Sequence, residues 1–221
     1  MANSLHINER QTYCHFCSND TGTPTAPGTK SWWQTIRSQN GVRFGVIKAT
    51  ERISYVNPYA QSAWTACNAV NGESGTGLYH FLDWQYSGTK QANHFWSKVQ
   101  SLTNPTYNIK GSILAVDIEE PNGSNSTGTP SVTVVNDFIN ELSAKLGGFL
   151  GNLVIYTNKD TWVRLLGNPT NWSDIAMWLA AMDGESYCPP YTFGGWVNWS
   201  HMQYGIATLD GVSTDLDEMN V

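Results

Sequence analysis

Short apolar, β-rich runs alternate with amphipathic helical patterns along most of the chain, and this alternation limits the folds open to it. It is typical of repeated β-α units, in which helices cover a parallel sheet. The runs ILAVDI (Ile113–Ile118) and LVIYT (Leu153–Thr157) are almost continuously apolar, as expected for parallel strands covered on both faces. Eight strands are predicted: Leu5–Asn8, Phe44–Ala49, Gly77–Leu82, Ile113–Ile118, Leu153–Thr157, Ala176–Ala181, His201–Tyr204 and one near Leu216.

The intervening segments have the periodicity of helices. In Thr89–Leu102 and in Val132–Leu146, apolar residues recur at spacings of three and four and form one buried stripe. Further helices are predicted from Pro58 to Val70, over Ser31–Ser38 and, shorter, over Thr161–Leu166. The sequence therefore predicts an α/β fold, an irregular TIM-like β/α barrel with eight strands and about five helices.

The length of 221 residues suits a single domain, and we expect one catalytic domain over residues 1–221. Two stretches, at about 12–30 and 121–130, are rich in Gly, Pro, Ser, Thr or Asn and are predicted to be loop insertions. Both follow predicted strands. Because the loops after the strands build the active-site face of a barrel, these insertions are expected to shape a cleft.

The composition excludes some partners. Charged residues make up 14% of the chain, the formal net charge is −6, and Lys and Arg are not clustered, so we expect no nucleic-acid partner. No apolar run approaches the ~20 residues of a membrane span, and Met1–Arg10 lacks a signal-peptide pattern, so no membrane insertion is expected. Ten Trp and ten Tyr suit neutral ring-shaped ligands such as sugars, although an aromatic core would give the same count.

Cys14 and Cys17 form a CxxC motif that encloses His15. The motif could be a disulfide, half of a zinc site or a reduced pair. No second CxxC or HxxxH supplies further zinc ligands, so a local disulfide is the preferred interpretation, and neither a metal nor another cofactor is expected.

The sharpest chemical signal is Asp117-Ile118-Glu119, at the end of the most apolar predicted strand. Residues two apart on a strand point to the same side, so both carboxylates are expected at the barrel mouth, with Cα atoms roughly 6 to 7 Å apart. Repulsion and partial burial raise one pKa of such a pair, which leaves a protonated acid beside an ionised neighbour, as glycosidic cleavage requires. A structural interpretation, with a capping aspartate and a salt-bridged glutamate, stays open on the triplet alone.

Eight short segments follow one another over nearly the whole chain: FGVIKATE (Phe44–Glu51), YVNPY (Tyr55–Tyr59), GLYHFL (Gly77–Leu82), LAVDIE (Leu114–Glu119), VIYTN (Val154–Asn158), MWLAA (Met177–Ala181), HMQYG (His201–Gly205) and GVSTDLDEMN (Gly211–Asn220). As an ordered set they resemble the family 25 glycoside hydrolases, the muramidases also called Chalaropsis-type lysozymes. The resemblance implies an irregular eight-stranded β/α barrel. It also implies hydrolysis of the β-1,4 bond between N-acetylmuramic acid and N-acetylglucosamine in peptidoglycan.

The resemblance also assigns roles to single residues. Glu119 would be the general acid at the glycosidic oxygen. Asp117 would either hold the sugar's N-acetyl group as it attacks the anomeric carbon or activate water, so retaining and inverting chemistry both stay open. The resemblance further places five residues around the substrate, although core packing is an equally common role for such aromatics: Asp217, Tyr79, Tyr156, Trp178 and Gln203.

The chain departs from the family pattern at its start. The family opens with an Asp on strand one, in a pattern like D-V-S-x-x-Q, whereas this chain has His6 in the segment His6-Ile7-Asn8-Glu9-Arg10-Gln11. His6 could replace the Asp in the substrate site, be a structural histidine, or mark a decayed site. We expect His6 at the end of strand one, on the active-site face.

Five aromatic residues lie between Tyr187 and Trp199. Aromatic faces stack on sugar rings, so this segment could form a wall of the cleft, or it could pack on itself. Trp196 is the residue that we expect to be exposed and to contact substrate.

The expected partner is the peptidoglycan glycan strand, and the protein is expected to be a monomer that acts outside the cell or at the wall, secreted or released as a phage-type lysin. Two alternatives stay open. A chitinase-like glycosidase is disfavoured because its DxxDxDxE pattern would need Asp at positions 112 and 115, where this chain has Ser112 and Ala115. A non-catalytic glycan-binding protein on a degraded hydrolase scaffold is supported by His6 alone.

Overall fold

The computed structural model describes residues 27–103, 112–121, 127–181 and 193–219, together with the backbone of residues 12–16. The strands are β1 Thr12–Phe16, β2 Gly45–Glu51, β3 Tyr55–Val56, β4 Thr76–Phe81, β5 Leu114–Ile118, β6 Leu153–Thr157, β7 Ala176–Ala180, β8 His201–Leu209 and β9 Val212–Met219. The helices are α1 Lys30–Asn40, α2 Ala60–Asn71, α3 Gly88–Thr103 and α4 Val132–Lys145, with a 3₁₀ turn at Glu73–Gly75 and a π-helical segment at Thr161–Leu165. In this part of the chain, no helix is long and apolar enough to cross a membrane.

The strands form one sheet that curls back on itself. Its order is β1-β9-β8-β7-β6-β5-β4-β2-β3, and β1 also pairs with β2, so eight strands close into a ring and β3 lies outside it. Neighbours from β2 through β4, β5, β6 and β7 to β8 are parallel, whereas β9 is antiparallel to both β8 and β1. The predicted irregular β/α barrel is therefore confirmed.

The prediction for strand one was wrong. Thr12–Phe16 pairs with both β2 and β9. It is therefore the first strand of the ring, a role that we had predicted for Leu5–Asn8. The run Thr-Tyr-Cys-His-Phe is aromatic and β-branched, which favours a strand, whereas the Gly and Pro residues that indicated a loop at about 12–30 lie further along. Leu5–Asn8, and His6 within it, lie outside the described residues, and the reason for placing His6 at the end of strand one no longer holds.

The helices cover the outer face of the ring. The hydroxyl of Thr29 caps α1 by accepting a hydrogen bond from the Trp32 amide at 3.3 Å, and Gly41 ends that helix with φ 73. Helices α3 and α4 pack together through Phe95 and Phe138, whose rings are stacked with centroids 6.3 Å apart. The buried stripes predicted for these two helices are confirmed, because their apolar faces are buried against the sheet.

A second apolar layer fills the inside of the ring. Side chains alternate between the two faces of a strand, so every second residue of the barrel strands points inward. The inward layer packs as one cluster, consisting of Phe44, Val46, Tyr79, Phe81, Ala115, Val154, Tyr156 and Trp178. Any polar residue in register with this layer is consequently held in an apolar interior.

Two histidines are buried on opposite faces of the sheet. His80 stacks on Phe138 outside the ring, and burial lowers its pKa to about 3. His201 lies beside Phe44 and Trp178, and burial lowers its pKa to about 4. Both imidazoles are therefore neutral at pH 7 in the folded protein.

We expect these histidines to make folding sensitive to acid. Each folded-state pKa lies below the ordinary value of 6.5. The contribution of these histidines to the free energy of unfolding is therefore fully present above pH 6.5, and it is lost as the pH falls from 6.5 toward the folded-state values of about 3 for His80 and about 4 for His201. Each histidine should cost about 1 kcal/mol of unfolding free energy between pH 7 and pH 5.5. Urea unfolding of His201→Gln at both pH values should show a smaller loss than the wild type. An unchanged loss in His201→Gln would contradict this account.

Candidate active site

Asp117 and Glu119 lie at the barrel mouth. We define the mouth as the edge of the ring where the parallel pairing of β2, β4, β5, β6, β7 and β8 stops, on the carboxyl-terminal side of these strands. Asp117 is 3% exposed and is in register with Phe81 on β4 and Tyr156 on β6, two members of the inward layer. Glu119 is half-buried and lies one residue beyond the end of β5. The chain therefore brings one fully buried and one accessible acid to the same end of one strand.

Asp217 lies on the opposite side of the ring. It is on β9, which is four strands from β5 in either direction around the eight-stranded ring. The side chain is 1% exposed, and the indole nitrogen of Trp178 donates a hydrogen bond of 2.7 Å to its Oδ1. A charge-assisted bond of this kind stabilises a carboxylate where water is excluded. The interior thus holds acids on two facing walls.

The other inward residues that were expected around the substrate connect these walls. The hydroxyl of Tyr156 donates a short hydrogen bond to Oε1 of Gln203, which is in register with Asp217. The ring of Tyr156 packs edge-on against Trp178, with centroids 5.4 Å apart. Tyr79, on β4, is 1% exposed within the same layer. These residues are therefore packed core residues of the barrel interior, on the same layer as the buried acids.

The expectation that Trp196 is exposed was wrong. Trp196 is 3% exposed, its ring lies 4.7 Å from that of Trp162, and its indole nitrogen donates to the Ile175 carbonyl at 2.7 Å. Gly194 and Gly195 both have positive φ, which turns the chain back and places Trp196 in the core. Phe193 is buried with it, whereas residues 187–192 of the proposed aromatic wall lie outside the described residues.

Sequence reasoning missed a charged network beside the mouth. Lys48 Nζ lies 2.6 Å from Glu51 Oε2 and 4.9 Å from the centre of the Phe81 ring. Arg52 Nε lies 3.3 Å from Glu51 Oε1 and 3.1 Å from Asp83 Oδ2. The available signal was the position of three of these residues: Glu51, Arg52 and Asp83 stand at or just after the ends of β2 and β4, where barrels carry functional loops. The network joins the loops of two neighbouring strands.

The described residues offer little for a metal. None of their His, Cys, Asp and Glu side chains form a group of three that could hold a metal ion. Cys67 is a buried free thiol, and burial raises its pKa to about 11. The expected Cys14–Cys17 disulfide involves side chains outside the described part.

The hydrogen bond from Trp178 to Asp217 allows a matched test. Trp178→Phe and Trp196→Phe each remove a buried indole N–H bonded at 2.7 Å, but the acceptor is a carboxylate in the first case and a carbonyl in the second. Since bonds to charged groups contribute more, Trp178→Phe should lower the free energy of unfolding by about 1 kcal/mol more than Trp196→Phe. Urea unfolding at pH 7 measures both, and equal losses would show that the bond to Asp217 has no added strength.

The sequence and the fold of this chain were compared with those of known proteins, and both comparisons lead to the same family. The model of the "Glycosyl hydrolases family 25" matches residues 27–208. A family GH25 lysozyme from Aspergillus fumigatus is 26% identical, with a TM-score of 0.66 over 85% of this chain and 87% of that one. A family 25 glycosyl hydrolase from Bacillus anthracis, 19% identical, has the same fold, with a TM-score of 0.71 over 98% of this chain and 92% of that one.

A curated relative has a different kind of name. "Counting factor 50" of Dictyostelium discoideum is 26% identical over 208 residues, which are 91% of this chain. The match covers 65% of the relative, so the chain spans less than two thirds of that protein's length. Since the family model covers most of the chain and the barrel matches solved family 25 structures, this protein is a member of the family 25 glycosyl hydrolases.

Proposed function

We propose that this protein is a muramidase that hydrolyses the β-1,4 bond between N-acetylmuramic acid and N-acetylglucosamine in peptidoglycan. The observation that carries the proposal is the placement of Asp117 and Glu119 together at the end of β5, at the mouth of a family 25 barrel. The choice of substrate is supported by the family 25 relative that is named a lysozyme. On this proposal the protein acts on cell walls.

Glu119 is the proposed general acid. A proton donor must reach the glycosidic oxygen, and half-burial gives Glu119 both access to the cleft and partial shielding from water. In the reaction Glu119 transfers its proton to the leaving oxygen while the bond from that oxygen to the anomeric carbon breaks. The ionised Asp117 next to it disfavours loss of this proton before the reaction.

Asp117 is the proposed carboxylate partner, and two routes fit its position. In the first, Asp117 orients the N-acetyl group, whose oxygen attacks the anomeric carbon, and water later opens the cyclic intermediate. In the second, Asp117 removes a proton from a water molecule that attacks the anomeric carbon directly. The first route retains the anomeric configuration and the second inverts it, so the configuration of the fresh product distinguishes them.

The inward layer is the proposed floor of the substrate site. Tyr79 and Tyr156 would contact the N-acetyl group, and Asp217 would bind the sugar from the wall opposite β5. Trp178 holds Asp217 through its indole nitrogen, while Gln203 holds the Tyr156 hydroxyl. In this proposal the packed core of the barrel also provides the shape of the pocket.

Glu119→Gln should abolish wall lysis while leaving the fold intact, because an amide keeps the shape of the acid but cannot donate the proton. We expect the rate to fall by ~10² to 10⁴. The matched control is Glu120→Gln, whose side chain is exposed and bonded to Arg164 at 3.1 Å, and which should lyse walls at nearly the wild-type rate. The readout is the decrease in turbidity of purified peptidoglycan. Lysis by Glu119→Gln at the wild-type rate would refute the assignment.

Asp117→Asn should slow lysis severely and move the alkaline limb of its pH–rate profile to lower pH. Neutralising Asp117 removes the negative charge that helps Glu119 to keep its proton. The residual rate, measured with a concentrated enzyme between pH 3 and pH 9, gives the position of the limb. An active variant whose alkaline limb coincides with that of the wild type would show that the two carboxyl groups are not coupled.

If neither the wild type nor any variant lyses cell walls, but the wild type still binds peptidoglycan, the result would instead favour the non-catalytic glycan-binding alternative. A pull-down with insoluble peptidoglycan measures that binding separately from turnover.

A further inference from the structure

The backbone of the acid triplet is held from both neighbouring strands. The Leu82 amide donates to the Asp117 carbonyl at 3.0 Å, and the Thr157 hydroxyl donates to the Ile118 carbonyl at 2.9 Å. Strand β5 ends at Ile118, which is its last residue in register with β6. Glu119 thus lies beyond the end of the ladder, where strand pairing no longer fixes the chain.

Trp84 provides a hydrogen bond at this point. Its indole nitrogen donates to the main-chain carbonyl of Glu119 at 2.9 Å, and the Trp84 side chain is 4% exposed. An indole is rigid and carries a single donor, so its hydrogen bond fixes the acceptor in one place. The bond therefore restrains the peptide plane that directly follows the Cα atom of Glu119, and with it the direction in which the Glu119 side chain leaves the main chain.

Trp84 is itself held by its neighbour Asp83. The Asp83 carboxylate is fully buried and accepts hydrogen bonds from Arg52 Nε at 3.1 Å and from the Thr127 amide at 3.2 Å. Its main-chain N–H and C=O both bond the side-chain amide of Gln91 on α3 at 2.8 Å. The turn that carries Trp84 is consequently tied to three separate parts of the chain.

Gly128 covers the same turn. It has φ 90, and a Cβ at this position would lie 2.7 Å from the Gln85 amide nitrogen and 2.9 Å from the Trp84 carbonyl carbon. The main chain that returns from the predicted insertion at 121–130 therefore lies directly on Trp84 and Gln85. This close approach restrains the main chain from which the Trp84 side chain extends.

We propose that Trp84 is a positioning residue that aims the carboxyl group of Glu119 at the glycosidic oxygen. This inference rests on the proposed function, in which Glu119 is the general acid. A displacement of about 1 Å in a catalytic group can lower the rate about 10²-fold. A change in the orientation of the Glu119 peptide would therefore lower the rate of glycosidic cleavage. Trp84 acts through Glu119, and its effect falls on the chemical step.

Two replacements of Trp84 test the proposal. Trp84→Phe removes the donor and part of the ring, while benzothienylalanine at position 84 keeps the bicyclic shape and lacks the N–H. With a soluble peptidoglycan glycan oligosaccharide as substrate, both should lower kcat by about 10-fold or more and change KM by less than about 2-fold. Trp33→Phe is the matched control, because Trp33 is fully buried and donates to the Pro27 carbonyl at 2.8 Å, away from Glu119. It should keep the wild-type kcat.

A double variant separates positioning from general loss of structure. If Trp84 works only through the carboxyl of Glu119, benzothienylalanine should not reduce the residual rate of Glu119→Gln further. Wild-type kcat in the benzothienylalanine variant, or a rise in KM alone, would overturn the role of Trp84 while leaving the proposed function standing. Wild-type kcat in Glu119→Gln would instead overturn the proposed function itself.

Discussion

The burial of carboxylates inside an apolar barrel is the main physical constraint on this structure. Asp117 and Asp217 are almost fully enclosed by the inward layer of aromatic and aliphatic side chains. An isolated charge in such a place would cost several kcal/mol or more, so it persists only where the surroundings provide hydrogen bonds or opposite charge. The indole of Trp178 meets part of that requirement at Asp217. Much of the polar structure around the mouth can be understood as the support of acids in a dry interior.

Closure of the ring sets the geometry of those acids. Because β1 pairs with both β2 and β9, the sheet has no free edge between them, and β9 is held opposite β5. An open sheet of the same strands would leave Asp217 far from Asp117. The barrel thus brings residues from distant parts of the chain to one interior. Arg52, just after β2, and Asp83, just after β4, add an ion pair at its rim.

The parts of this fold that sequence predicts well are those with strong local patterns. Strands β5 and β6 are continuous apolar runs, and α3 and α4 have clear apolar stripes, so each could be recognised within a short window. The acid pair could also be predicted, because Asp117 and Glu119 are two residues apart at the end of a recognisable strand. Strand β1 was missed because its run of five residues adjoins a long segment rich in Gly, Pro and Thr.

Long-range contacts account for the other differences. Nothing local separates a buried tryptophan from an exposed one, so Trp196 could be placed only once its packing on Trp162 was known. The hydrogen bond from Trp84 to Glu119 spans 35 residues, and the ion pair of Arg52 with Asp83 spans 31. Such pairs depend on the register of the closed ring. The measurement that tests the central claim most directly is the identity of the new reducing end: peptidoglycan is digested, reduced with borohydride and analysed by mass spectrometry. A muramidase yields fragments that end in reduced N-acetylmuramic acid, whereas fragments that end in reduced N-acetylglucosamine, or no new ends at all, would contradict the account.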